Sequence, residues 1–186
     1  MSFYLAGLII FFGSHFFTAF ARGPREILVT KLGAGPYRGL YSLVALIGFA
    51  LIIFGWRGAD TTIIYTPPLW MRHVTYLLVL VAFILLASSM LPAGKIAAGA
   101  KHPMLAGVKL WAFAHLLVNG DERSLLLFGS FLAFAVIDRI VVKRRGVESP
   151  TAGPIKNDVI AIAVGAGLYI FVAFYAHRYI AGVSLG

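Results

Sequence analysis

Long runs of apolar residues, separated by short polar connections rich in glycine and proline, dominate this chain. Six runs stand out, at about 3–21, 39–56, 69–91, 104–119, 123–142 and 158–178. A helix needs roughly 17–25 residues to cross the hydrocarbon core of a bilayer. Each run therefore predicts a membrane-spanning helix, with 104–119 the shortest. Alternation of the β type is absent, so the pattern predicts an all-α, polytopic six-helix transmembrane bundle forming one domain over residues 1–186.

Composition strengthens that reading. The 186 residues are 60% hydrophobic and 12% charged, with 15 Phe and no cysteine. The first run carries no charge before Ser14, unlike the basic start of a signal peptide, and is expected to stay as a helix. Without cysteine, disulfides, thiolate nucleophiles and iron–sulfur clusters are excluded, and histidine is left as the main ligand for a transition metal.

The net charge of +9 would suggest nucleic acid in a soluble protein, but its placement argues otherwise. Arg22, Arg25, Lys31 and Arg38 lie between the first two runs, Lys95 and Lys101 between the third and fourth, and Lys143, Arg144, Arg145 and Lys156 between the fifth and sixth. The alternate connections hold only Arg57, Arg72 and Arg123. Short connections rich in Lys and Arg stay cytoplasmic, which predicts an inner-membrane protein with both termini periplasmic. The expected partners are membrane lipids with anionic headgroups, and no nucleic acid. Nothing in the pattern specifies an oligomer.

Turn chemistry punctuates the runs. Gly33, Gly35 and Pro36 precede the second, Pro92-Ala93-Gly94 ends the third, and Pro103 opens the fourth. The segment 143–157, basic and interrupted by Gly146, Pro150, Gly153 and Pro154, is expected to be the most mobile piece and to face headgroups. Small residues at helical spacing, Ala161 with Gly165 and Gly129 with Ala133, predict close helix approach. No phosphate-binding glycine loop, dinucleotide fingerprint, serine elbow or paired metal histidines at i,i+4 occurs.

Candidate chemistry rests on ionisable groups inside the apolar runs. His73 starts the third run and His115 ends the fourth, so the two can share a depth, with His177 near the same side. His15 lies deeper in the first run, and His102 opens the fourth. Lys109, seven residues after His102, shares its face and needs a carboxylate, a carbonyl or a water cavity. Asp138 beside Arg139 predicts a local ion pair or a headgroup contact. Two imidazoles from different helices can hold haem iron from both sides, with Arg72 as a partner for a propionate. Any haem would be non-covalent, because no CxxCH element exists. The alternatives are histidines that only hydrogen-bond across the bundle, a zinc or copper site, and ion transport through Lys109 and Asp138.

Several stretches carry a family likeness. GPYRGLYSLVALIGFALIIFG at 35–55, PPLWMRH at 67–73, KHPMLAGVKLWAFAHLLVNGD at 101–121 and LLLFGSFLAFAVIDRI at 125–140 resemble the NnrU family of bacterial integral membrane proteins. The family is associated with nitrogen-oxide metabolism in denitrifying bacteria, and its distant relatives are the zeta-carotene isomerases, which use non-covalent haem b on a long polyene. The resemblance implies haem b as cofactor, His15 and His115 as axial metal ligands, and redox-linked or isomerase-like chemistry on a lipophilic small molecule. It leaves His73 as a substitute or supporting group and Lys109 as an internal electrostatic partner. The isomerases carry a cysteine near the equivalent of His115, where this chain has none. A transporter or accessory role in nitrogen-oxide metabolism, without catalysis of its own, is the competing implication.

Overall fold

A computed structural model describes residues 1–185, which form eight helices and two compact units, Met1–Thr61 and a second beginning at Thr62. In the first unit, α1 (Ser2–Phe20) and α3 (Ala34–Trp56) form an antiparallel pair joined by α2 (Arg22–Leu32). The basic connection between the first two runs is thus largely helical, and α3 begins five residues before the predicted run, so that of the expected turn at 33–36 only Gly33 lies outside a helix. Gly33, with φ of 86°, makes the reversal between α2 and α3, a backbone geometry that costs glycine little.

Glycine sets the spacing of this hairpin. A Cβ on Gly7 would lie 2.6 Å from the backbone nitrogen of Ile52, one on Gly48 2.7 Å from that of Phe11, and one on Gly55 2.6 Å from that of Tyr4. The two backbones therefore touch without intervening side chains, the contact that replaces the hydrophobic effect between helices in lipid. Tyr4 is fully buried and meets the edge of Trp56, with ring centroids 6.0 Å apart. The Met1 ammonium donates to the carbonyl of Gly58 at 3.0 Å and closes the end of the pair.

The second unit holds α4 (Met71–Met90), α5 (Lys95–Ala100), α6 (Pro103–Leu116), α7 (Glu122–Arg144) and α8 (Ile155–Ile180), the last continuous through one π-helical turn at Val172–Ala176. α4 packs against both α6 and α8, and α6 packs against α7. Gly107 of α6 sits over Leu86 and the carbonyl of Ala82, while Gly165 of α8 lies against the backbone of Ile84. The predicted Ala161/Gly165 contact is present, whereas Gly129 meets nothing within 4 Å and Ala133 is exposed.

Polar clamps fix both ends of this unit. At one end, Ile64 and Tyr65 donate their backbone N–H groups to Gly120, Glu122 donates to Thr62, and the Tyr65 hydroxyl donates to the carbonyls of Leu116 and Asn119. At the other, the Asp158 carboxylate accepts the backbone N–H groups of Lys95 and Ile96, both at 2.9 Å, and Asn157 donates to the carbonyl of Ala93. The starts of α4 and α7 therefore share one end of the unit. The end of α4 and the start of α8 share the other.

Among the described residues, five helices are long and apolar enough to cross a membrane: α1, α3, α4, α7 and α8. The run at 104–119, expected as a sixth full span, folds as the 14-residue α6, which at 1.5 Å per residue reaches roughly 21 Å against a core of about 30 Å. One limit is local and the other is a tertiary contact. Pro103 fixes the first turn, and Asn119-Gly120-Asp121 stops the last one, with Gly120 so close to the carbonyl of Tyr65 that no side chain fits. The segment 143–157 also departs from expectation at its far end, where Gly153 and Asn157 are seated on Ala93. Large apolar side chains face outward on the long helices, with Phe54 82% and Ile9 72% exposed. Such surfaces suit lipid rather than water, and the chain is a multi-pass membrane protein.

Candidate functional site

His15 and His115 sit in the same local device, one in each unit. In α1 the His15 Nδ1–H donates to the carbonyl of Phe11 at 2.7 Å, one helical turn back. In α6 the His115 Nδ1–H donates to the carbonyl of Trp111 at 2.8 Å, again one turn back. A carbonyl can only accept, so Nδ1 carries a proton in both rings, and in the neutral tautomer this leaves the lone pair on Nε2. This is the arrangement found behind metal-bound imidazoles, where the second nitrogen is anchored to a carbonyl.

Aromatic rings hold each imidazole in place. The His15 ring lies 4.2 Å from that of Phe11 and 5.6 Å from that of Tyr41. His115 is stacked on Phe128 at 4.5 Å and tilted against Trp111 at 4.9 Å, while Trp111 is itself wedged between Phe128 and Phe131. The i,i+4 placement of an aromatic and a histidine on one helix face produces both stacks, because such residues lie one above the other. Among the described residues, the Nε2 of His115 has no hydrogen-bond partner.

The other candidates are placed differently. Arg72 and His73 are exposed in the first turn of α4. The Thr75 hydroxyl donates to the carbonyl of Ala114 at 3.0 Å, so the start of α4 and the end of α6 lie side by side within the unit. His177 donates from Nδ1 to the carbonyl of Val183 at 2.9 Å. Lys109 is half-buried and forms no ion pair among the described residues. Asp138 and Arg139 do not pair with each other, and the Arg139 Nη1 is buried without a partner. His102 precedes the first residue of α6, where burial and then the charge of Arg139 push its imidazole below the ordinary value against a smaller upward pull from Asp138.

No group of three or more His, Asp or Glu side chains converges as a metal-ion site among the described residues. A zinc or copper centre held by protein ligands alone thus lacks a ligand set, whereas haem iron needs only one or two imidazoles. Sequence reasoning passed over two polar residues that organise the second unit. Asp158 is 5% exposed, and its position beside Asn157 at the head of the last run was the available signal. Asp121 accepts from the backbone N–H and hydroxyl of Ser124 at 3.1 and 2.7 Å, and the Asp-x-x-Ser spacing ahead of an apolar run announces that helix cap.

No curated protein and no solved structure matches the chain. The pattern that defines the NnrU protein family matches residues 3–185, so nearly the full length of this multi-pass membrane protein belongs to that family.

Proposed function

We propose that the chain binds haem b non-covalently and uses it in redox-linked or isomerase-like chemistry on a lipophilic small molecule. The observation that carries this reading is the shared anchoring of His15 and His115, which leaves the Nε2 of each neutral ring as the basic nitrogen. The resemblance of the family to zeta-carotene isomerases supports the same pair. When bound, the haem supplies an iron centre able to exchange an electron or an axial ligand.

The residues of the chain hold that chemistry in place. The carbonyls of Phe11 and Trp111 fix the tautomer and orientation of the two imidazoles. Phe128 and Trp111 cover the His115 ring and keep water away from one of its faces. Arg72, exposed at the head of α4, is the proposed partner of a propionate, and the adjacent His73 a supporting group. Lys109 is the proposed internal electrostatic partner.

In this reading α6 is the sixth crossing despite its length, because the chain passes through α5 and α6 from the end of α4 to the start of α7, which lie at opposite ends of the second unit. Two crossings in the first unit and four in the second return the chain to its starting side. The basic connections then place both termini in the periplasm of the inner membrane.

The test is the absorption spectrum of the detergent-solubilised protein, expressed with ample iron and haem. A haem-b reduced-minus-oxidised difference is expected, and His115→Ala should abolish it or shift its maxima. A spectrum unchanged in the His15→Ala, His115→Ala double variant removes the ligand assignment. Absence of haem from the folded wild type removes the cofactor and leaves the transport or accessory role in nitrogen-oxide metabolism.

A further inference from the structure

A cleft of about 390 Å³ opens in the second unit where α6 falls short, between the end of α4, α5, the start of α6 and the end of α7. Leu91, Met104 and Val142 give it an apolar wall, and Lys101, His102 and Glu148 its polar mouth. Lys101 and Glu148 are both exposed, and among the described residues neither forms an ion pair. Two opposite charges thus face one cleft without neutralising each other.

The approach to α6 is unusual. Lys101 is the one described residue other than glycine with positive φ, at 61°, in a three-residue turn closed by the His102 N–H on the carbonyl of Ala100 at 2.7 Å. A residue with a Cβ adopts such a conformation at a cost that glycine does not bear. The helix that follows has no side-chain cap, Pro103 has no N–H to offer, and Met104 and Leu105, whose N–H groups come next, both line the cleft. Near His102, the Arg139 Nη1 is buried and has no hydrogen-bond partner among the described residues.

We propose that this cleft holds one phospholipid whose headgroup carries both a phosphate and a primary ammonium, as in phosphatidylethanolamine. The phosphate lies against Lys101, His102 and the open start of α6, and the ammonium against Glu148. One acyl chain follows the wall of Leu91, Met104 and Val142. A purely anionic headgroup would meet Glu148 unfavourably, and a choline headgroup has no N–H to donate to it. The apolar wall, and the position of the cleft at the ends of the two long apolar helices α4 and α7, select the lipid over a soluble phosphodiester. This inference is independent of haem.

Native mass spectrometry of the delipidated, detergent-solubilised protein titrated with single lipids tests it. The wild type should take up one phosphatidylethanolamine about fivefold more tightly than phosphatidylcholine or phosphatidylglycerol, a ratio suited to exposed charge pairs. Glu148→Gln should erase the preference for phosphatidylethanolamine over phosphatidylcholine by weakening only the former. Lys101→Gly, which suits the positive φ and so preserves the turn, should weaken both. Equal binding of the three lipids by the wild type overturns the proposal, as does a preference that survives Glu148→Gln. Soluble glycerophosphoethanolamine binding as tightly as the lipid would overturn the lipid source.

Discussion

The two units have similar apolar helices and solve helix association in different ways. In the first, Gly7, Gly48 and Gly55 let α1 and α3 meet backbone to backbone, with contact made by shape. In the second, Asp158, Asn157, Tyr65 and Thr75 reach from one element to backbone groups of another, with contact made by directed hydrogen bonds. The difference follows from what each unit connects. A two-helix hairpin with one short linking helix needs only close approach, whereas five helices with a short member in the middle must also fix where each chain reversal falls. Close packing sets distance, and buried polar groups set register.

The largest break in this comparison should come from filling the glycine contact. Gly48→Leu or Gly55→Leu places side-chain atoms inside the opposite backbone and should cost roughly 3 kcal/mol or more. Gly13→Leu, on α1 but with nothing within 4 Å of the added Cβ, should stay within about 0.5 kcal/mol. Thermal unfolding in detergent checks both, and equal losses would show that glycine spacing does not hold the first unit.

A smaller effect is expected at the clamp of the second unit. Asp158→Ala strands the backbone N–H groups of Lys95 and Ile96, at a cost of roughly 2–3 kcal/mol. Hydrogen exchange at these two amides should accelerate while exchange in α1 and α3 stays as in the wild type. Acceleration shared by both units would mean that the clamp acts on the whole chain.

The smallest effect sharpens the other end of the second unit. Tyr65→Phe removes the hydroxyl that donates to Leu116 and Asn119, worth about 1 kcal/mol. Burial, and then the Asp121 carboxylate, hold the Tyr65 phenol above its ordinary value of about 10. The folded state therefore favours the neutral phenol, and this stabilisation is complete below about pH 10 and lost as the pH rises through the raised value. Proteolysis of the segment 62–66 should increase at strongly alkaline pH in the wild type. In Tyr65→Phe, cleavage should be faster at pH 8 and show no such alkaline step.

Much of the fold was legible because lipid imposes simple rules. Each run had to be helical, since no water satisfies backbone groups in hydrocarbon, and five of the six runs correspond to helices long enough to span. The exception, 104–119, shows the limit of counting apolar residues. Pro103 and Gly120 were visible, but the carbonyl of Tyr65 that forbids a side chain at position 120 comes from the far side of α4. The same holds for small residues. Ala161 with Gly165 and Gly129 with Ala133 look alike as spacings, yet only the first pair faces a neighbouring helix.

For the candidate site, the sequence alone singled out histidine as the candidate ligand, because a cysteine-free chain with histidines in apolar runs has few other donors, and it placed an aromatic four residues before both His15 and His115. It also set the helical class and the gathering of basic residues in alternate connections, since both depend on local composition and solvent. Tertiary structure decided that α6 is short, that Asp158 holds the start of α5 and Tyr65 the turn after α6, and that Lys101 and Glu148 face one cleft. These depend on groups distant in sequence meeting at hydrogen-bonding range, and hydropathy carries no record of such meetings.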